Sequence, residues 1–473
     1  MADERAREII RLWERLNGDR TTWLVHWQDV TDYMLPNRAD YIIERTPGMK
    51  RMAKVFDSTP IWAAEQSAGG FYGLLTSPTL QWFFLEPEDD RLGQVPEVAA
   101  WLDEAARRLY AIFNGPRYNF ASQAHELYLD LVTIGTAAMA VLESPRSKLR
   151  FSTRHMRECV IQENEEDRVD TLVRRWKYTA KQAVETWGEA AGERVVKAAA
   201  DRPDEKFEFL HCVRPRAVRS AGRNDARHKA FESVYVSAAD GAVISEGGFE
   251  EFPYLVPRFS KMSFEIYGRG SGMTALPDVK MLNAMAKTVL KGAQKVVDPP
   301  LQVPDDGFMV PIKTVPGGLN YYRAGSQDRI EPMQTNGQIS LGIEMVNALR
   351  QAIKSEFYLD LLAMPSDPSD PLAAGKGVTA TWVVRDRDQK LVLMAPILAR
   401  LYAEFLGPLV DRTFAIAWRQ SRAMRWGAGA LLPEPPAELS GAALRVRYVS
   451  PIEAAQNASR LDGIGRVVQT AQI

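Results

Sequence analysis

Residues 271–297 read SGMTALPDVKMLNAMAKTVLKGAQKVV, and residues 339–362 read ISLGIEMVNALRQAIKSEFYLDLL. Each stretch carries apolar residues close to the 3.6-residue period of an α-helix. Between them the period is lost: Asp298-Pro299-Pro300 ends the first pattern, and Pro304, Pro311, Pro316-Gly317-Gly318 and Pro332 punctuate short strand-like pieces such as FMVPI (308–312) and LNYYR (319–323). A chain that leaves one helix, builds a small module and re-enters a second must come back to where it left. The pattern therefore predicts a projecting helical hairpin with a compact insertion at its end.

At about 100° per residue, Lys280, Lys287, Lys291 and Lys295 share one side of the first helix, opposite Leu282, Met285, Val289 and Ala293. Such a side is either an ordinary solvated face or a stripe turned toward an anionic partner. After the second helix comes AMPSDPSDPLAAGKG, residues 363–377, too rich in Pro, Gly and turn formers for helix or strand. A loop of that length is usually mobile or functional.

Working outward, helical spacing marks residues 9–16 up to a stop at Asn17-Gly18, then 23–34, 61–75, 98–113 and 120–134. From about 138 to 261 the pattern changes to short apolar runs, among them TLVRRWKY, FEFLHCV and SVYVSA, with turn residues between them and one helix near 180–187. This predicts an α+β fold with a mostly antiparallel sheet. Residues 378–426 read as a long helix broken at Pro396 and Pro408, and 428–451 as a turn-rich connection with a strand. The sequence stops at Ile473 within an amphipathic pattern, and the natural chain is expected to continue.

Composition narrows the function. At 473 residues, 46% hydrophobic and 25% charged, the chain has the make-up of a water-soluble protein of two or three domains. A net charge of -1 disfavours a surface that clamps nucleic acid all over. Cys159 and Cys212 are far apart, which suggests neither a zinc site nor a disulfide framework and fits a reducing compartment. The charged N-terminus is no signal peptide, and no apolar run is long enough to span a membrane.

Catalytic patterns are missing. Gly268-Arg269-Gly270-Ser271-Gly272 precedes a helix but lacks the lysine and hydroxyl of a phosphate loop, and Met273 breaks the dinucleotide fingerprint. The five histidines, at 26, 125, 155, 211 and 228, form no zinc-binding pair. His211 lies in an apolar strand-like run and is expected in or near a core. The acidic runs PEDD (87–90, with Glu86 before it) and ENEED (163–167) read as exposed loops, and the tryptophans as packing or interface residues. No cofactor or metal is expected.

The stretches RLWERLNGDRTTWLVHWQDVTDYMLPNR (11–38), VFDSTPIWAAEQSAGGFYGLLTSPTLQWFFL (55–85) and YGRGSGMTALPDVKMLNAMAKTVLKGAQKVVDPPLQVP (267–304) resemble, in that order, the head-to-tail connecting (portal) proteins of short-tailed double-stranded DNA phages. The most specific pieces are DSTP at 57–60 and GRGSGM through DPP at 268–300. The resemblance implies a ring, usually of twelve subunits, at one capsid vertex, with wing (1–270 and 378–407), stem (271–297 and 338–362), clip (298–337), channel loop (363–377) and crown (408–473). It further implies double-stranded DNA in the channel, a terminase motor and later a tail adaptor at the clip, capsid and scaffolding proteins at the wing, and no catalysis. Lys280, Lys287, Lys291, Lys295, Arg350, Lys354 and Lys376 become channel candidates, Lys376 first because two glycines flank it. The rival readings are another ring-forming connector, such as a tail adaptor, and a packaging ATPase or nuclease.

Overall fold

The computed structural model describes residues 2–44, 46, 48–217, 225–302, 331–332, 339–362, 394–439 and 443–448. The first amphipathic pattern folds as α1 (Ala2–Asp19), followed after Arg20 by α2 (Thr21–Met34). The helix overruns the expected stop at Asn17-Gly18. Just past its end, Arg20 is buried, and its guanidinium donates to the carbonyls of Met156, Arg157 and Cys159 at 2.5–2.6 Å. Next come α3 (Thr59–Leu75), β1 (Phe83–Pro87), α4 (Pro96–Asn114) and α5 (Phe120–Ile134), so this part is mainly helical, as the spacing predicts. Their apolar faces meet in one large core that holds Trp27, Phe71, Phe83, Leu109, Phe113 and Tyr128. Each such side chain taken out of water contributes on the order of 1.5–3 kcal/mol.

Beyond α5 the predicted sheet appears in two parts. A three-stranded antiparallel sheet orders as β3-β2-β9, from β2 (Ala138–Ser144), β3 (Lys148–Arg154) and β9 (Tyr254–Leu255). Between β3 and β9 runs a five-stranded meander: β4 (Cys159–Glu163), β5 (Val169–Thr179), β6 (Lys206–Pro215), β7 (Phe231–Ser237) and β8 (Ala242–Phe249), each antiparallel to the next. The two-residue side-chain alternation of a strand sends Val173, Leu210, Cys212, Val234 and Val236 to one face, where Ile9 and Leu16 of α1 cover them. Trp176 and Phe209 go to the other face, under α6 (Ala180–Trp187) and α7 (Glu193–Asp201).

His211 is a core residue, as expected. Its Nδ1 lies 3.0 Å from the Tyr254 hydroxyl and its Nε2 2.8 Å from Ser233 Oγ, and its ring stacks on Tyr235. Burial, with Arg174 and Arg154 nearby, lowers its pKa to about 3. Cys159 and Cys212 are free and buried, and burial pushes both thiols up to about 12.

The longest helix, α8 (Ser271–Val297), starts where the chain crosses the end of α5. Gly135 closes α5 with a left-handed φ of 82°, and a β-carbon there would stand 2.3 Å from the backbone of Arg269 and Gly270. From the other side, β-carbons at Gly268, Gly270 and Gly272 would meet the backbone of residues 132–135 at 2.4, 2.5 and 2.7 Å. The glycines serve a contact between two backbones, and that is why they cluster before the helix.

After α8, β10 (Leu301–Gln302) pairs antiparallel with β11 (Glu331–Pro332), and α9 (Ile339–Glu356) and α10 (Leu359–Leu362) follow. Residues 394–401 are helical, run through a π-helical turn at Tyr402–Leu406 and continue as α11 (Gly407–Ala423). The expected break at Pro408 is therefore a bulge within a continued helix, and Pro396 lies within the helical run. Widening the turn carries Glu404 onto the buried Arg258, whose Nη2 it meets at 2.8 Å. β12 (Leu444–Tyr448) pairs antiparallel with β1, which ties this C-terminal part to the helical core.

The acidic runs need one correction: Glu86 lies in β1 beside Arg445 and Arg447, and Glu163 ends β4 bound to Arg258 and Lys261. Glu86 gains its partners through the remote pairing of β1 with β12, and Glu163 through ion pairs with residues nearly a hundred positions on.

Two outcomes are expected. Gly270→Ala, which forces the crossing apart, should lower unfolding stability by roughly 1–3 kcal/mol in chemical denaturation, whereas Gly18→Ala, with open space around it, should cost nothing. Because unfolded His211 takes up a proton near pH 6.5 that the fold refuses until about pH 3, stability should fall as pH drops through that window. His211→Gln should flatten that slope in a pH series of thermal melts.

Candidate functional site

The two long helices form the hairpin. Gly342 faces Val289 and Gly292 faces Ile339, so the numbering of one helix falls as that of the other rises. At the root Val279, Leu282, Val346, Ile353 and Phe357 are buried in the main core. Met285, Val289 and Leu349 are partly buried along the seam. Farther out Leu290, Val296 and Val297 are exposed. The antiparallel pairing of β10 with β11 brings the two sides of the insertion together, in keeping with the predicted return of the chain. Residues 303–330 and 333–338 of the insertion lie outside the described residues, as do the loop 363–377 and Lys376.

A polar clasp holds the root. The Asn283 side-chain oxygen accepts from the backbone N–H of Phe56 at 2.7 Å and of Asp57 at 3.3 Å. Asp57 Oδ1 accepts from Thr59 N–H at 2.9 Å at the start of α3, and its Oδ2 accepts from Arg350 at 2.8 and 3.0 Å. Asp57 thus joins three helices, α3 and α9 through its buried carboxylate and α8 through its backbone N–H. Burial works to raise its pKa, but hydrogen bonds from Thr59 and Arg350 outweigh it and hold the carboxyl below the ordinary range. The DSTP stretch looked distinctive in sequence, yet a helix-start signature does not reveal that its acid reaches a residue 293 positions away.

The candidate cations divide accordingly. Arg350 is bound to Asp57, and Lys280 Nζ lies 2.5 Å from Asp29 of α2. Lys287 sits 5.0 Å from the Phe56 ring and Lys354 5.5 Å from the Trp62 ring, geometries of cation–π contact. Lys287, Arg350 and Lys354 are thereby gathered on the side of the hairpin where residues 56–62 run. Lys291 and Lys295, on the exposed outer half of α8, have no carboxylate partner among the described residues.

Elsewhere, an open cleft of about 1090 Å³ is lined by Arg258, Lys261, Arg400, Glu404, Asp411 and Tyr448, among others. Arg258, Lys261 and Arg400 are engaged by Glu163 and Glu404 in ion pairs of the fold. Among the described residues no group of three or more His, Cys, Asp or Glu side chains is arranged to hold a metal ion. None of the described helices is long and apolar enough to cross a membrane.

The family model described as "Bacteriophage head to tail connecting protein" matches residues 6–473. The chain is 30% identical over 478 residues to the "Probable portal protein" of Bordetella phage BPP-1, covering 99% of this chain and 83% of that one. It is 28% identical over 476 residues to the "Portal protein" of Salmonella phage epsilon15, again over 99% and 83% of the two chains.

The clasp makes its own prediction. In a double-mutant cycle of Asp57→Ala and Arg350→Ala, unfolding free energies should be non-additive by on the order of 1 kcal/mol, with the single Asp57 change the costlier because it also removes the acceptor for the Thr59 N–H at the start of α3. Additive losses would uncouple α3 from α9.

Proposed function

The chain belongs to the bacteriophage head-to-tail connecting proteins, components of the portal vertex of the virion, and on that premise we propose that copies of it close into a ring of twelve around a channel for double-stranded DNA during genome packaging and ejection. Closure uses one surface of each subunit against a different surface of the next, related by rotation. Residues 1–270 and 378–407 serve as the wing, 271–297 and 338–362 as the stem, 298–337 as the clip, 363–377 as the channel loop and 408–473 as the crown. The clip docks the terminase motor and later a tail adaptor, the wing meets capsid and scaffolding proteins, and assembly proceeds in the host cytoplasm. The chain acts as a conduit and performs no chemistry of its own.

The observation that carries this reading is the hairpin: a rigidly clasped root, an exposed outer half, and lysines left without counter-charge near its end. A conduit must let DNA slide. Each phosphate neutralised by a cation adds salt-dependent affinity, so a dense basic wall would grip what it should pass. Two of the stem cations, Lys280 and Arg350, are offset by Asp29 and Asp57. Lys291 and Lys295 supply the sparse contact, and Lys376, chosen on its sequence alone, completes it from the channel loop.

Electron microscopy of the purified chain should show rings with an axial channel; a monomer would sink the proposal. Lys291→Gln and Lys295→Gln combined should leave ring yield and melting temperature unchanged while DNA packaging falls several-fold. Packaging at the unsubstituted level would remove the stripe from the channel.

A further inference from the structure

Five arginines and a lysine gather where the β2–β3 hairpin meets the end of α11. Arg117 Nη2 donates to the Arg146 carbonyl at 2.6 Å, and Gln420 Nε2 donates to the Lys148 carbonyl at 2.6 Å. The Lys148 ammonium donates to the Gly429 carbonyl and lies 3.9 Å from Met424 Sδ. These contacts join the hairpin turn, the 115–118 loop and residues 420–429 into one surface. Arg150 stands two positions beyond Lys148 on the outer side of β3, since Leu149 between them is buried. Arg422 lies in the last turn of α11 and Arg425 just past it, and all five arginines are exposed.

No carboxylate pairs with any of the six among the described residues. Glu143, in the same hairpin, is held by Arg419, and Glu104 of α4 by Arg107 and Arg108. Stabilising the C-terminus of α11 does not account for the set, because a helix end carries only about half a negative charge. The backbone is also constrained here: Lys148, Arg425 and Trp426 hold left-handed φ values of 68°, 48° and 54°. Side chains with a β-carbon adopt that region at a cost. In a chain with a net charge of -1, this is a local concentration of positive charge on rigidly joined turns.

We propose that this patch binds the phosphate backbone of duplex nucleic acid, separately from the lysines of the α8–α9 hairpin. Arginine presents a planar fork of donors that matches phosphate oxygens two at a time, and five of the six cations are arginine. An acidic protein partner has the complementary charge as well, but protein interfaces are anchored by buried apolar and aromatic residues. Met424 is the one strongly exposed large apolar residue of the patch among the described residues. Phosphate contacts need donors alone and carry no sequence preference.

The test titrates the assembled full chain with a fluorescent, random-sequence DNA duplex over a range of salt. Arg146→Gln, Arg150→Gln, Arg422→Gln and Arg425→Gln are combined in one variant; these side chains make no hydrogen bond or ion pair with the described residues, so ring assembly and melting temperature should hold. Affinity at low salt should fall at least tenfold, and the slope of log affinity against log salt should shrink by up to about 0.9 for each phosphate that is no longer neutralised. The same drop in affinity should appear when the substitutions are placed on a background lacking the hairpin lysines. The proposal is overturned if the variant keeps the unsubstituted affinity and slope, or if the unsubstituted chain binds no duplex at low salt. It also fails if polyglutamate of equal charge displaces the duplex as well as unlabelled duplex does, an outcome that would assign the patch to an acidic protein.

Discussion

Two stretches of bare backbone touch where α5 ends and α8 begins, and the position of the α8–α9 hairpin follows from that contact. Gly135 on one side and Gly268, Gly270 and Gly272 on the other leave no room for a β-carbon. Hydrogen bonds lock the crossing: Phe259 N–H to the Gly135 carbonyl at 2.9 Å, Gly268 N–H to Thr136 Oγ1 at 2.8 Å, and Arg269 N–H to the Ser260 carbonyl at 2.7 Å. A backbone-to-backbone contact has no rotamers to adjust. It therefore sets the departure point of α8 more sharply than side-chain packing would, and the direction of the hairpin inherits that definition.

Buried charge does the remaining alignment. Asp57 ties α3 to both helices of the hairpin, and Arg258 ties the end of β4 and the loop before α8 to the π-helical turn through Glu163 and Glu404. Removing such ions from water is costly, and their attraction offsets that cost only where the geometry is well matched. Each cluster therefore specifies one arrangement of its elements rather than adding much net stability.

A consequence is that the near-zero net charge conceals a division of labour. Many arginines are neutralised inside the fold, at Arg38, Arg258 and Arg412 among others, and Arg20 is bound there to backbone carbonyls. Among the cations without a carboxylate partner in the described residues are those on the outer half of α8 and around the β2–β3 turn. Local charge, set by which cations lack a partner, decides what a surface can attract; the total does not.

Helical period, proline punctuation and strand alternation made the hairpin, the helical first part and the antiparallel sheet legible in the linear chain, because each is a repeat set by local geometry. The same held for His211 as a core residue. Spacing could place Lys280, Lys287, Lys291 and Lys295 on one side of a helix. It could not say that Lys280 finds Asp29, that Arg350 finds Asp57, or that Glu86 and Glu163 belong to strands, since those partners lie far along the chain. Nor could it reveal why the glycines at 268–272 are there, or that a strand at 444–448 pairs with one at 83–87. Periodicity is a property of neighbours in sequence; charge balance and close approach are properties of neighbours in space, which folding alone decides.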